Sequence, residues 1–245
     1  NLCSQCHNRR TVPDPGSSHG LHPHSPETAL LNGEAGFFFP GMPIDQGDII
    51  ATHGSEANER LCAGCHVNAT EISDAETGEF LLNAVGHTFQ AAPCVDENGI
   101  PTGEDCELNT TVRDFQSCAV SGCHGSPDGA LSVLTTATVR FQNLVEELHD
   151  LLVQVDPNLD EPGGAIDATD GVLTTAEGAF FNMELAEFGG PEEDRPSPLL
   201  AYAAAAAHNP FLVEQLLIAS INAVEDEYGV TASPGLNLSR TMDPR

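Results

Sequence analysis

A chain of 245 residues is long enough for one or two domains, yet this one has no Trp, two Tyr, 23 Gly and 17 Pro, so its side chains offer little aromatic mass for a core. Its net charge of −29, with eight Arg and no Lys, excludes a nucleic-acid partner and an anionic membrane surface. The longest apolar run, residues 199–207, is far too short to span a bilayer.

Residues 1–60 read as extended coil, punctuated by Pro13, Pro15, Gly16, Pro23, Pro26, Gly33, Pro40, Gly41 and Pro43. Near the start stands Cys3-Ser4-Gln5-Cys6-His7. A short helix is expected over 61–70, around Cys62-Ala63-Gly64-Cys65-His66. Residues 71–117 read as loops alternating with short extended pieces. A third motif, Cys118-Ala119-Val120-Ser121-Gly122-Cys123-His124, repeats the ending with two extra residues between the cysteines.

Cys-x-x-Cys-His is the attachment signature of c-type haem. Two thiols a short turn apart reach the two vinyl groups on one porphyrin edge, and the next residue, His, is held under the ring to bind iron. A thioredoxin-type pair or half a zinc site also uses Cys-x-x-Cys, but neither needs His after the second cysteine. Three covalent haems are therefore expected, on Cys3, Cys6, Cys62, Cys65, Cys118 and Cys123, with His7, His66 and His124 as proximal iron ligands. Three porphyrins also supply the apolar mass that the side chains lack. A coil like residues 1–60 makes no core of its own and is expected to lie on haem faces or on another subunit.

Cys94 and Cys106 remain, on either side of a turn-rich loop. A disulfide is the natural reading in an oxidising compartment, and two free thiols are the alternative. No signal peptide is visible and the chain opens two residues before a haem cysteine. It therefore reads as a mature or trimmed product of an exported precursor, extracellular or at the cell surface, alternatively periplasmic.

The second half has no Cys and a helical pattern. Leu131, Leu134, Val139, Phe141, Leu144, Val145, Leu148, Leu151 and Leu152 recur at helical spacing over about 129–154. Asp156-Pro157 ends that helix. The acidic loop 156–171 carries Asp156, Asp160, Asp167 and Asp170, which either face water or hold calcium, though not at EF-hand spacing. A helix over 175–188 turns Ala179, Phe180, Met183 and Leu185 inward. Another spans 198–208, and Asn209 as N-cap with Pro210 in the first turn restarts a helix to about residue 228. The fold class is thus mainly coil with α-helices and few or no strands, a multihaem cytochrome fold organised by its haems. A haem-binding region with an extended N-terminal arm occupies 1–128; a helical region supplying distal ligands occupies 129–245.

Seven His are left for the distal positions: His19, His22, His24, His53, His87, His149 and His208. Bis-His ligation at every iron is feasible. His208, at the helix break, is the foremost candidate, followed by His87. His22, His24 and His53 are also candidates, and His149 reads equally as a buried structural residue.

The chain resembles the multihaem c-type cytochromes that include relatives of hydroxylamine and nitrite reductases and the extracellular cytochrome filaments. The stretches that carry the resemblance are Ser17 to Pro26 with Leu30-Leu31-Asn32-Gly33, Ser117 to Ser126 around the stretched motif, Ala179-Phe180-Phe181-Asn182, and His208-Asn209-Pro210 with Leu216, Leu217 and Ser220. The resemblance implies bis-His haems stacked for electron hopping, with His208 distal. It also implies a homopolymer in which His19, His22 or His24 crosses to a neighbour, electrons passing on to redox proteins or extracellular acceptors. Filament members usually carry four or more haems, whereas this chain has three motifs. A soluble periplasmic carrier is the alternative. A reductase is disfavoured: there is no Lys to serve as a proximal ligand, and Tyr202 and Tyr228 stand far from the motifs in sequence.

Overall fold

A computed structural model describes residues 2–67, 69–74, 76–85, 89–103, 105–120, 123–159, 166, 170–188, 197–234, 238 and 241–242. In chain order the elements are α1 (Glu27–Leu31), α2 (Cys62–His66), β1 (Ala69–Ser73), β2 (Phe80–Val85), α3 (Pro127–Val155), α4 (Thr175–Ala186), α5 (Leu200–His208) and α6 (Pro210–Tyr228). Among the described residues the only sheet is the antiparallel β1–β2 hairpin. The architecture is helices and coil, in line with the sequence. The helix expected over 61–70 is shorter: α2 ends at His66 and β1 begins at Ala69.

The helices α3, α4, α5 and α6 pack on one another and enclose the core. Ser126 starts α3 by accepting the Gly129 N–H at 3.0 Å, with Pro127 in the first turn, where its missing N–H costs nothing. Ala137, Phe141, Leu144, Val145, Leu148, Leu151 and Leu152 then bury one continuous stripe. Val139, which joins the apolar pattern in the sequence, lies off that stripe and is 42% exposed. On α4 a capping box joins Thr174 and Glu177, each side chain accepting the other's backbone N–H. Phe181, rather than the expected Phe180, is the fully buried aromatic there. Arg140 on α3 meets the buried carboxylate of Glu214 on α6 at 2.8 Å, and the other Glu214 oxygen accepts the Met242 N–H.

The N-terminal coil departs from expectation in what it covers. Ala29, Leu30, Ala35 and Phe39 enter the same core as the helices, so this part of the coil lies on its own chain. Two asparagines hold it. Asn182 of α4 accepts the Phe37 N–H at 2.7 Å, donates to the Phe37 carbonyl at 2.9 Å, and donates to Ser220 of α6 at 3.1 Å. Asn209 donates to the carbonyls of Leu30 and Ile49, each at 2.8 Å. Backbone groups buried without a helix or strand need such partners. Gly178 makes the approach possible, because any side chain there would overlap the Phe37 ring. Gly36, at φ +101°, makes the bend just before Phe37.

Cys94 and Cys106 form the expected disulfide, with Cα atoms 5.8 Å apart. It closes a loop of sequence separation 12, a constraint on the unfolded chain worth about 3 kcal/mol. Removing both thiols is expected to lower stability by about that amount in denaturant titration. Asn182→Ala, which strands both Phe37 backbone groups in the interior, is expected to cost about 2–3 kcal/mol in the same measurement.

Candidate haem-iron sites

Each motif histidine follows a tight closure of the chain. In the first motif the His7 N–H donates to the Cys3 carbonyl at 2.9 Å. The second motif is α2 itself. In the stretched motif the His124 N–H still reaches back to the carbonyl of the first cysteine, Cys118, at 3.2 Å. The two added residues leave that end-to-end bond in place, so His124 stands in the same relation to its cysteine pair as His7 does. Cys3, Cys6 and Cys123 are exposed and Cys62, Cys65 and Cys118 half-buried. All six stand outside the single disulfide described. Burial, then the thiols of Cys118, Cys123 and Cys62 around it, push the Cys65 thiol above its ordinary pKa. Burial likewise raises Cys118.

The imidazoles form two pairs. His66 and His208 have ring centroids 6.2 Å apart and planes 15° from parallel. His53 and His124 stand 6.1 Å apart with planes at 73°. A metal–imidazole bond is about 2 Å long and the bonded nitrogen lies about 1 Å from its ring centre, so two imidazoles trans on one iron set their centroids about 6 Å apart. Both pairs match that separation, at either inter-ring angle.

The tautomers match as well. His66 Nδ1 lies 2.6 Å from the Phe89 carbonyl, His53 Nδ1 2.6 Å from the Ala207 carbonyl, and His208 Nδ1 2.7 Å from the Ala204 carbonyl. A carbonyl only accepts, so each Nδ1 carries a proton, and in the neutral ring Nε2 then holds the lone pair that binds a metal. Burial holds His208 and His124 below the ordinary histidine pKa, again favouring the neutral ring. Phe89 lies at φ +51° and Leu61 at φ +47°. Bulky residues seldom adopt that region, and these two bracket the second motif; the Phe89 carbonyl is the one that holds His66.

His208 owes its place to the junction of α5 and α6. Pro210 has no N–H for the Ala206 carbonyl, so α5 stops. Asn209 leaves the helical region before the proline (φ −155°, ψ 79°), caps α6 by accepting the Leu212 N–H at 3.2 Å, and holds the coil carbonyls described above.

His7 differs. Its Nδ1 lies 3.1 Å from the Glu27 carboxylate, and among the described residues no imidazole stands opposite it. His22 is tied through Nδ1 to Glu184 of α4 at 2.9 Å and stands edge-on to Phe180. The backbone of His24 bridges to Arg9 beside the first motif. His87 lies outside the described residues. His149 is half-exposed, with Asp150 4.0 Å away, and not buried.

The chain matches no family model, no curated protein and no solved structure.

Among the described residues no three of His, Cys, Asp and Glu converge as a free metal site. Of the loop acids weighed for calcium, Asp160 and Asp167 lie outside the described residues. Asp156 is buried and accepts the Asn158 N–H, and Asp170 accepts the Val172 N–H. Tyr202 is buried in α5 and the Tyr228 hydroxyl accepts the Ala176 N–H. No helix among the described residues is long and apolar enough to cross a membrane.

Sequence reasoning singled out His208 and His53 but not their partners. His53 lies close before the second motif in sequence and faces the third in space.

Asn209→Ala removes a cap and two bonds to coil carbonyls, and is expected to cost about 3 kcal/mol in denaturant titration. The Glu184 hydrogen bond raises the His22 pKa above its ordinary 6.5. Folded His22 therefore holds its proton more tightly than unfolded His22, so the pair stabilises the fold fully below the unfolded pKa and not above the folded one. Comparing the chain with its Glu184→Gln variant across pH should show an advantage in acid that fades as pH rises through the raised value. An advantage independent of pH would mean that His22 does not titrate, as for an imidazole bound to iron.

Proposed function

We propose that this chain transfers electrons through three covalently attached c-type haems, on the cysteine pairs 3/6, 62/65 and 118/123, as an exported cytochrome. The observation that carries this reading is the pair of facing imidazole couples, His66 with His208 and His53 with His124, each at the spacing of two axial ligands on one iron. Bound haem supplies a reversible one-electron Fe(III)/Fe(II) couple. The residues present fit such a group: the cysteine pairs would hold the porphyrin, the motif histidines with His53 and His208 would supply imidazole nitrogens to its iron, and the carbonyls on Nδ1 of His66, His53 and His208 leave Nε2 for that role. At the second and third sites two imidazoles on one iron would leave no open coordination position, which favours a carrier over a reductase there. A zinc or dithiol reading gives no role to the histidine that ends every motif.

His53 and His208 also tie the second and third sites together. The Ala207 carbonyl receives the His53 ring, and His208 is the next residue. Acceptors on Nδ1 make each imidazole a stronger electron donor and favour the oxidised iron, as does the −29 charge of the chain.

The assembly we favour is an extracellular filament of identical copies. Two features support it: His7 has no opposing imidazole among the described residues, and Phe80, Leu81 and Leu82 lie exposed on the hairpin, a surface that another copy would cover. His19, His22 or His24 of a neighbour would then complete the first site. The alternative is a soluble periplasmic carrier that completes this site within one chain and docks to redox proteins. Deleting residues 1–30 would remove the buried Leu30 and test folding instead, so the better probe replaces His19, His22 and His24 together. Loss of polymers in electron micrographs supports the arm; unchanged polymers refute it.

The haem reading itself is tested by electron paramagnetic resonance on the haem-loaded protein. His208→Ala and His53→Ala are each expected to convert one low-spin iron to high spin while all three haems stay attached. Spectra that remain wholly low-spin in both variants would remove these residues as ligands.

A further inference from the structure

The segment after the disulfide carries a feature that electron transfer does not use. Asn109-Thr110-Thr111 is an Asn-x-Thr sequence with no proline at the middle position, the acceptor pattern for N-linked glycan in exported proteins. It sits in a held turn. The Arg113 guanidinium donates to the carbonyls of Ala92 and Cys106, and the Thr110 hydroxyl donates to Asp128 in the first turn of α3. Asn109 is half-exposed and its flanks Glu107 and Thr111 are exposed. Its Oδ1 accepts two bonds from Thr111, one from the hydroxyl at 2.6 Å and one from the backbone N–H at 3.0 Å. Among the described residues its Nδ2 has no partner. Two donors on Oδ1 draw electron density from the carboxamide and make the Nδ2 protons more acidic, which is the activation an amide nitrogen needs.

We propose that Asn109 is an N-glycosylation site, modified with oligosaccharide from a lipid-phosphate-linked donor by an oligosaccharyltransferase. The inference rests on the export part of the reading above. In the transfer, Nδ2 forms a bond to the anomeric carbon of the sugar. The anomeric C–O bond breaks, the lipid phosphate leaves with its electron pair, and a base takes the Nδ2 proton. Nothing is oxidised or reduced. The pattern occurs twice more, at Asn68-Ala69-Thr70 and Asn237-Leu238-Ser239, but Asn68, Asn237 and Ser239 lie outside the described residues. Only Asn109 carries the geometric argument. The turn is pinned by α3 and the disulfide and Asn109 is partly open to solvent, so a glycan there would extend from the surface of an exported wire or carrier.

The test uses protein isolated from its native host. Cleavage after Glu107 and Arg113 releases a peptide of residues 108–113, which holds Asn109 and no cysteine. Mass spectrometry should find this peptide carrying sugar increments, lost in Thr111→Ala and kept in Thr111→Ser. The cysteine-bearing peptides of the same digest report haem separately. An unmodified peptide 108–113 beside haem-bearing peptides overturns the glycan proposal and leaves the haem reading standing. A glycosylated peptide beside haem-free cysteines does the reverse, and a digest with neither modification overturns both.

Discussion

The break between α5 and α6 is the constraint on which the rest depends. Pro210 cannot continue a helix, so the chain turns over three residues, and each of them takes a separate task. Ala207 offers a carbonyl that holds His53, His208 presents its ring to His66, and Asn209 caps α6 while binding the carbonyls of Leu30 and Ile49. One local backbone event therefore places two imidazoles, His53 and His208, each beside a motif histidine and fastens the N-terminal coil. Helices α3, α4 and α6 hold this junction steady by burying Phe141, Leu144, Leu148, Leu185, Leu212 and Leu217 around it.

The second principle is the fixing of imidazole tautomers by backbone. Carbonyls at Phe89, Ala204 and Ala207 each occupy an Nδ1, and none of them titrates. His7 and His22 are held instead by carboxylates, Glu27 and Glu184. The chain thus separates a pair of sites with neutral, pH-independent supports from a first site whose surroundings carry charge.

Sequence revealed what is local. The apolar spacing of α3, the apolar residues of α4 and the Asn209-Pro210 restart are all short-range signals, and these helices lie close to where they are expected. What sequence concealed is long-range and lacks a period. Nothing in the spacing shows that His53 faces His124 rather than His66, because that choice is made by a carbonyl 154 residues away. The coil was legible as coil, but its seat was not. Asn182 reads as an ordinary helix polar residue and Asn209 only as an N-cap until their amides are seen to satisfy buried backbone of the coil. Side chains bonded to distant backbone leave no alternation or heptad behind. The Phe180 and Phe181 exchange has a smaller cause: neighbouring residues lie about 100° apart on a helix, so a slight rotation decides which of the two is buried.

The central claim is that two specific couples of imidazoles each share one iron. A high-resolution structure of the haem-loaded protein, by crystallography or cryo-electron microscopy, tests it most directly. The account requires the Nε2 atoms of His66 and His208 trans on one iron, those of His53 and His124 trans on another, and thioether bonds at all three cysteine pairs. His208 and His66 on different irons, or cysteines without porphyrin, would contradict it.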